Sequence, residues 1–185
     1  SEIRTPDTEL SNMMLIEPER GCHRGCTFCV MRRSTNGGMR LVDPATVSAL
    51  VPDEVERVGL VGAAVTDHPQ IRDILRELVD VREKRIGISS LRADRLDEEL
   101  VGLLYRGGYR SMTVALDAAS ARLRDVIEKN IKDRHVERAA ELAKAAGMRH
   151  LKLYVIVGLP GETEEDREEL ARLALKLREI LPVVL

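Results

Sequence analysis

Short aliphatic runs alternate along the chain with longer segments in which apolar residues recur at helical spacing. The pattern predicts five strands, Met13–Glu17, Arg57–Gly62, Ile86–Leu91, Met112–Leu116 and Leu151–Val157, with a sixth opening at Val183. The helical stretches between them are Pro44–Leu50, Pro69–Lys84, Asp97–Arg106, Ala121–Glu128 followed by Asp133–Ala146, and Glu164–Ile180. This alternation predicts an α/β fold with parallel strands and right-handed helical crossovers, either an open doubly wound sheet or a barrel.

The fifth predicted strand distinguishes between these two arrangements. Its aliphatic phase (Leu151, Leu153, Val155 and Val157) alternates with a second phase that contains Lys152, Tyr154 and Ile156. We expect the aliphatic phase to pack under the helices and Lys152 and Tyr154 to face the lumen. A closed, packed barrel would bury the lysine at considerable cost, whereas a ligand-filled lumen would not. The pattern therefore favours a partial (β/α)6 TIM-like barrel, truncated in its sixth unit.

Length and charge limit the class of protein. The 185 residues carry 29 basic and 31 acidic side chains, a balance that gives no general case for a nucleic-acid or membrane partner. There is neither an apolar run of eighteen residues nor a secretion signal, so the cytoplasm is the expected compartment. The chain begins without Met and ends in an apolar run, so we expect residues 1–185 to be one core domain of a longer protein.

All three cysteines lie within eight residues, in the C-x3-C-x2-C run Cys22, Cys26 and Cys29. An odd, clustered cysteine count favours metal ligation or catalysis over a disulfide framework. Three interpretations are open: buried thiols on one helix face, zinc with His23 as a fourth ligand, or an iron–sulfur cluster with one unfilled coordination position. The glycines at 21 and 25 disfavour the helix, and most of the weight falls on the cluster.

Five arginines and no acid occupy residues 20–42: Arg20, Arg24, Arg32, Arg33 and Arg40. Such a basic collar would stabilise an anionic cluster and raise its reduction potential. A nucleic-acid patch formed by Arg32, Arg33 and Arg40 is the disfavoured alternative.

Ligands of parallel α/β folds collect at the carboxyl ends of the strands, where the cysteine run and the segment Gly158–Thr163 both lie. With Phe28 directly before the last cysteine, this combination resembles the radical S-adenosylmethionine (radical SAM) superfamily over almost the whole chain. The resemblance implies a [4Fe-4S] cluster on the three cysteines, whose open iron binds S-adenosylmethionine (SAM). One electron, from a donor such as flavodoxin or ferredoxin, would then cleave SAM into methionine and a 5′-deoxyadenosyl radical that abstracts hydrogen from a substrate the sequence does not name.

The resemblance also implies a set of SAM contacts. By position these are Phe28, Gly62, Ala63, Ser90, Arg92, Asp117, Arg122, Ile156 and Gly158, with Lys152 and Tyr154 as substrate-facing residues of the lumen. The family often has an acid after two glycines at the end of the second strand, but this chain reads Gly62-Ala63-Ala64, which leaves the backbone, Thr66 or Asp67 for that contact. Simpler roles stay open for several positions: helix capping for Asp117, an ion pair for Arg92 and a sheet-edge position for Lys152. No catalytic side chain is assigned.

The segment from Arg20 to Cys26 resembles members that carry a cobalamin-binding domain before the radical SAM core. Because this chain contains no such domain, cobalamin and methyl transfer are expected only of a parent protein. A methylthiotransferase-like role on RNA or protein is an alternative, but it needs a second cluster and no further cysteines are present. The alternative from another class is an iron–sulfur electron-transfer module that does not use SAM.

Overall fold

The computed structural model describes residues 12–35, 38–89 and 91–185. Its strands are β1 (Met13–Ile16), β2 (Glu19–Gly21), β3 (Met39–Leu41), β4 (Arg57–Leu60), β5 (Arg85–Ile88), β6 (Ser111–Asp117), β7 (His150–Val155) and β8 (Val183–Val184). Its α-helices are α1 (Met31–Ser34), α2 (Pro44–Ala49), α3 (Ile71–Leu75), α4 (Glu98–Arg106), α5 (Ala121–Val126), α6 (Asp133–Ala145) and α7 (Glu164–Ile180).

Six of these strands form the predicted parallel series. β1, β4 and β5 pair in that order, and β6, β7 and β8 pair in that order, every pair being parallel. A parallel bridge between Leu91 and Val114 joins the two groups. The prediction of an α/β partial barrel is therefore confirmed, and the described strands do not close into a ring.

The buried face of each strand packs under the helices. On β6, Met112, Val114 and Leu116 are fully buried, and on α6 the buried stripe includes Val136 and Ala140. On β7 the predicted alternation holds, because Leu151 and Leu153 are buried whereas Lys152 and Tyr154 are exposed. The described helices include none that is both long and apolar enough to cross a bilayer.

Glycines on β4 and β5 shape the face of the β1–β4–β5 group that lies opposite the buried, helix-covered face. Gly59 and Gly87 pair with each other on β4 and β5, and Leu15 of β1 is the register partner of Gly59. A Cβ at Gly59 would lie 2.6 Å from Leu15 Cδ2 and 2.7 Å from Met13 Sδ. The small residues thus leave room for the β1 side chains to lie across the sheet.

Several predicted boundaries were wrong. The helix predicted from Pro69 begins at Ile71 and continues as a π-helical segment at Arg76–Val81. The fifth strand ends at Val155 rather than Val157, which is 74% exposed. The antiparallel β2–β3 hairpin was not predicted. The cysteine run lies in the long loop that connects its two strands.

Candidate active site

The cysteine loop leaves the β2–β3 hairpin through a tight turn. Gly21 has a φ of 99°, and a Cβ there would lie 2.3 Å from the Gly38 carbonyl oxygen, so the position requires glycine. The following loop is irregular apart from a turn in which the Cys29 N–H donates to the Cys26 carbonyl at 3.2 Å. The helix-face interpretation of the cysteines was therefore wrong.

The chemistry of the three sulfurs fits a cluster. All three cysteines are free; Cys26 is buried, and Cys22 and Cys29 are half-buried. Burial raises the pKa of the Cys22 thiol, as do the nearby charges of Asp67, Cys26 and Cys29, against a lowering by the Arg24 N–H, 3.4 Å from Cys22 Sγ. Within the described ranges no three His, Cys, Asp or Glu side chains converge on a metal position, so cluster binding requires the cysteine side chains to turn toward a common point.

The connector between α5 and α6, residues 127–132, packs against this loop. The Thr27 N–H donates to the Ile127 carbonyl at 3.0 Å, and Cys26 Sγ lies 3.8 Å from the Glu128 carbonyl. Glu128 and Asn130 have φ values of 53° and 56°, unusual for residues other than glycine. Such backbone strain clusters at functional sites.

The connector also carries a cation to the end of β6. Lys129, only 7% exposed, donates through Nζ to Asp117 Oδ2, and Asp117 itself has a φ of 66°. Arg92, from the segment after β5, donates to the Lys129 carbonyl at 3.3 Å and to Asp94 at 3.0 Å. The ends of β5 and β6 and the cysteine loop therefore meet at the connector. Nothing in the sequence distinguished Lys129 from any other lysine in a polar segment.

An ion network ties the cysteine loop to the segments after β4 and β5. Arg24 donates to both oxygens of Asp67, from Nε at 2.8 Å and from Nη2 at 2.6 Å, and Arg95 Nε donates to Asp67 Oδ1 at 2.7 Å. The Asp67 side chain is fully buried. Burial alone would raise the pKa of Asp67, but hydrogen bonds from Arg24 and Arg95 and the charges of Arg24 and Arg92 hold it below its ordinary value. Removing one partner of such a buried pair typically costs about 3–5 kcal/mol.

An acid that the sequence pattern did not reveal lies beside Gly62. Glu19 on β2 is fully buried, and its Oε1 accepts from the Ala64 N–H at 2.8 Å. A Cβ on Gly62 would lie 2.1 Å from that oxygen. The other oxygen, Oε2, is buried without a hydrogen-bond partner in the part of the chain that the structure describes. Burial raises the pKa of Glu19, as do Glu17 and Asp67, against the Ala64 hydrogen bond.

The basic collar is weaker than predicted. Arg24 is neutralised by Asp67, with Asp94 at 3.8 Å, and Arg20 pairs with Glu17, which lies just outside the acid-free stretch. Arg33 and Arg40 are exposed. The expectation failed because the acids that pair with the arginines come from other segments of the chain.

The remaining predicted residues lie in different surroundings. Ser120 caps α5 by accepting from the Leu123 N–H, whereas Asp117, predicted to cap as an alternative, pairs with Lys129. Arg122 pairs with Asp166 and donates to the Gly161 carbonyl at 2.9 Å. Ser90 lies outside the described residues.

An apolar cleft adjoins the third cysteine. It lies between the cysteine loop, α5 and the loop after β7, and it is lined by Thr27, Phe28, Leu123, Val126, Ile127, Leu159 and Pro160. Phe28 is 46% exposed in it. Gly158, with a φ of 85°, lies in the β7–α7 loop, and an added Cβ there would meet no atom within 4 Å.

Residues 16–174 match the Radical SAM superfamily. The "Uncharacterized protein MJ0966" of Methanocaldococcus jannaschii is 36% identical over 172 residues, which cover 89% of this chain and 37% of that protein. A tRNA-2-methylthio-N(6)-dimethylallyladenosine synthase of Bacillus velezensis is 26% identical over 80% of this chain and 32% of its own length. The chain thus spans about a third of these curated relatives.

The fold is shared with a solved enzyme of the same class. The radical S-adenosylmethionine methyltransferase TsrM of Kitasatospora setae, solved with cobalamin and a [4Fe-4S] cluster, superposes with a TM-score of 0.73 at 21% identity, covering 89% of this chain and 34% of that one. The parallel strand order and the three-cysteine loop, together with the family match over residues 16–174, define a radical SAM enzyme core. The chain belongs to the Radical SAM superfamily.

Proposed function

We propose that Cys22, Cys26 and Cys29 hold a [4Fe-4S] cluster and that SAM binds at its open iron. When bound and reduced by an external one-electron donor such as flavodoxin or ferredoxin, the cluster would supply the electron that cleaves SAM into methionine and a 5′-deoxyadenosyl radical. The observation that carries the proposal is the donor set: three free thiols, the whole cysteine content of the chain, on one loop beside the ends of the parallel strands. Free thiols also fit a reducing compartment such as the cytoplasm.

The groups around this loop suit the two ends of SAM. Gly62 and Ala63, with Glu19 behind them, offer acceptors for the N–H groups of an amino-acid moiety, and Arg92 and Lys129 offer cations for its carboxylate. The apolar cleft beside Phe28 offers stacking surface to an adenine, near Ile156 and Gly158. Ser90 and Arg122 remain part of the proposed contact set.

Lys152 and Tyr154 are proposed as substrate-facing residues. Both are exposed on the β7 face that the aliphatic phase leaves free, and Asp117 stands on the neighbouring strand. Their ammonium and phenol groups could orient a polar substrate by hydrogen bonds. We propose that residues 1–185 are the core domain of a longer protein. The remainder of that protein would help to bind the substrate, and also cobalamin if the protein uses it as TsrM does.

Anaerobic cluster reconstitution followed by dithionite and SAM tests the proposal. We expect 5′-deoxyadenosine and methionine from the wild-type chain and neither product from Cys26→Ser. A Ser48→Ala variant, which removes a half-buried hydroxyl of α2 that donates to Glu77, serves as the control and should retain the wild-type yield. An intact, reducible cluster that gives no product would instead identify an electron-transfer module.

The tRNA-modifying relatives favour one second candidate, methylthio transfer in the parent protein. That reaction needs a second cluster, and this chain has cysteines for one only. Iron analysis of the whole protein separates the two functions: about four irons per chain fit the first proposal, and more than one cluster per chain fits methylthio transfer.

A further inference from the structure

The Arg24–Asp67 pair is unusually placed for a buried ion pair. Arg24 stands between two of the cysteines, and its backbone N–H lies 3.4 Å from Cys22 Sγ. Its guanidinium is held by two parallel hydrogen bonds to Asp67, which belongs to the segment after β4, 43 residues further along the chain. Two parallel bonds fix the orientation of a guanidinium as well as its distance.

Asp67 is anchored independently of Arg24. It accepts a hydrogen bond from Arg95 at 2.7 Å, and its backbone N–H donates to the Ala64 carbonyl at 2.8 Å within the short 3-10 helix at Val65–Asp67. Its side chain is fully removed from solvent. The aspartate is therefore an anchor on the barrel that holds the cysteine loop through Arg24, in addition to the hydrogen bond from the Thr27 N–H to the Ile127 carbonyl.

The pair also sets the charge next to the first cysteine. Arg24 without Asp67 would place an unbalanced cation beside the sulfurs, whereas Asp67 without Arg24 would leave a buried anion there, partly balanced by Arg95. A nearby cation stabilises the more negative, reduced form of a cluster and raises its reduction potential, and an anion does the reverse.

We propose that Asp67 is a positioning residue for the cysteine loop: through Arg24 it fixes the backbone beside Cys22 and balances the arginine charge that would otherwise raise the reduction potential of the cluster. The part of the inference that concerns the reduction potential rests on the proposed function. The part that concerns the position of the cysteine loop applies to the metal-free chain as well.

Two substitutions, Asp67→Asn and Arg24→Gln, test the inference. In the metal-free chain, both should speed amide hydrogen exchange across residues 22–29 by about tenfold or more, because one of the ties between the loop and the barrel is lost. In the reconstituted chain, Asp67→Asn should move the midpoint potential to a more positive value and Arg24→Gln to a more negative one. Asp80→Asn, which breaks an exposed pair with Arg106 that has the same two-bond geometry, is the control for the loss of such a pair and should change neither quantity.

The opposite signs distinguish this role from general destabilisation, which would not move the potential in two directions. Unchanged exchange in residues 22–29 relative to Asp80→Asn, or potentials that shift in the same direction for both variants, would overturn the proposal. If the wild-type chain takes up no cluster, the proposed function fails, but the exchange measurement still decides whether Asp67 positions the loop.

Discussion

Glu19 illustrates how a single buried side chain can serve a binding site at a cost to stability. Its carboxylate has one oxygen bonded to the Ala64 N–H and one buried without a partner in the described part of the chain. Burying a charge without full compensation costs free energy, which the fold tolerates here beside the proposed SAM site. Glu17, two residues away, is in the opposite situation because it forms hydrogen bonds with Arg20 near the surface.

Glu19→Gln should change how stability depends on pH. Burial raises the pKa of Glu19 in the folded chain, so its contribution is fully present below the unfolded pKa and is lost as the pH rises through the folded value. Glutamine does not ionise, so the variant does not lose this stability as the pH rises. Its free energy of unfolding, measured by urea titration between pH 4 and 8, should therefore rise relative to wild type as the pH increases.

Glu17→Gln provides the control with the opposite sign. The hydrogen bond from Arg20 lowers the pKa of Glu17, so this residue stabilises the fold above the unfolded pKa and loses that contribution as the pH falls. Its removal should cost a small amount of stability at neutral pH and nothing in acid. Parallel pH profiles for the two variants would contradict the assignment of Glu19 as a buried, incompletely paired acid.

At the scale of elements, the β2–β3 hairpin and the α5–α6 connector hold the cysteine loop from two sides. Neither was predicted from the sequence. The hairpin strands have only three residues each and contain no alternating apolar pattern, and the connector depends on left-handed residues such as Glu128 that no turn motif announces. β1, β6 and β7 and the long helices were predictable because each buries a periodic face.

Gly62→Ala should disturb the contact between β2 and the segment after β4. The added Cβ would collide with Glu19 Oε1, and overpacking of this kind costs roughly 1–3 kcal/mol. Chemical denaturation should show that loss, and most of it should disappear in the Glu19→Ala background, where the colliding atoms are absent.

Gly102→Ala is the comparison within a helix. Gly102 lies in α4, and the nearest atom to an added Cβ is the flexible end of Arg106 at 3.4 Å, so the change should stabilise the chain by about 1 kcal/mol through helix propensity. A Gly62→Ala variant as stable as wild type would mean that Glu19 does not pack against Gly62.

For the whole molecule, the sequence located the cysteine loop but not the groups that position it. The cysteine spacing predicted the proposed ligands, whereas the partners of Arg24, Gly62 and Asp117 come from segments 12 to 43 residues distant, through hydrogen bonds or close packing that depend on the finished fold. The basic collar was overestimated for the same reason. Charges that are isolated in sequence can be neutralised in space.

Cluster loading should stabilise the whole chain. A cluster that joins three residues of one loop binds the folded state and not the unfolded one, so it adds to the free energy of unfolding. We expect the reconstituted chain to melt several degrees above the metal-free chain under anaerobic conditions. The Cys29→Ser variant should melt at the metal-free temperature with or without iron and sulfide.

The central claim is that the three-cysteine loop leaves one iron open for SAM. Electron paramagnetic resonance of the dithionite-reduced, reconstituted chain, recorded with and without SAM, tests this directly. We predict a [4Fe-4S] signal whose g-values shift when SAM is added, because its amino and carboxylate groups occupy the open iron. A cluster signal that SAM leaves unchanged, or the absence of a cluster from the wild-type chain, would contradict the account.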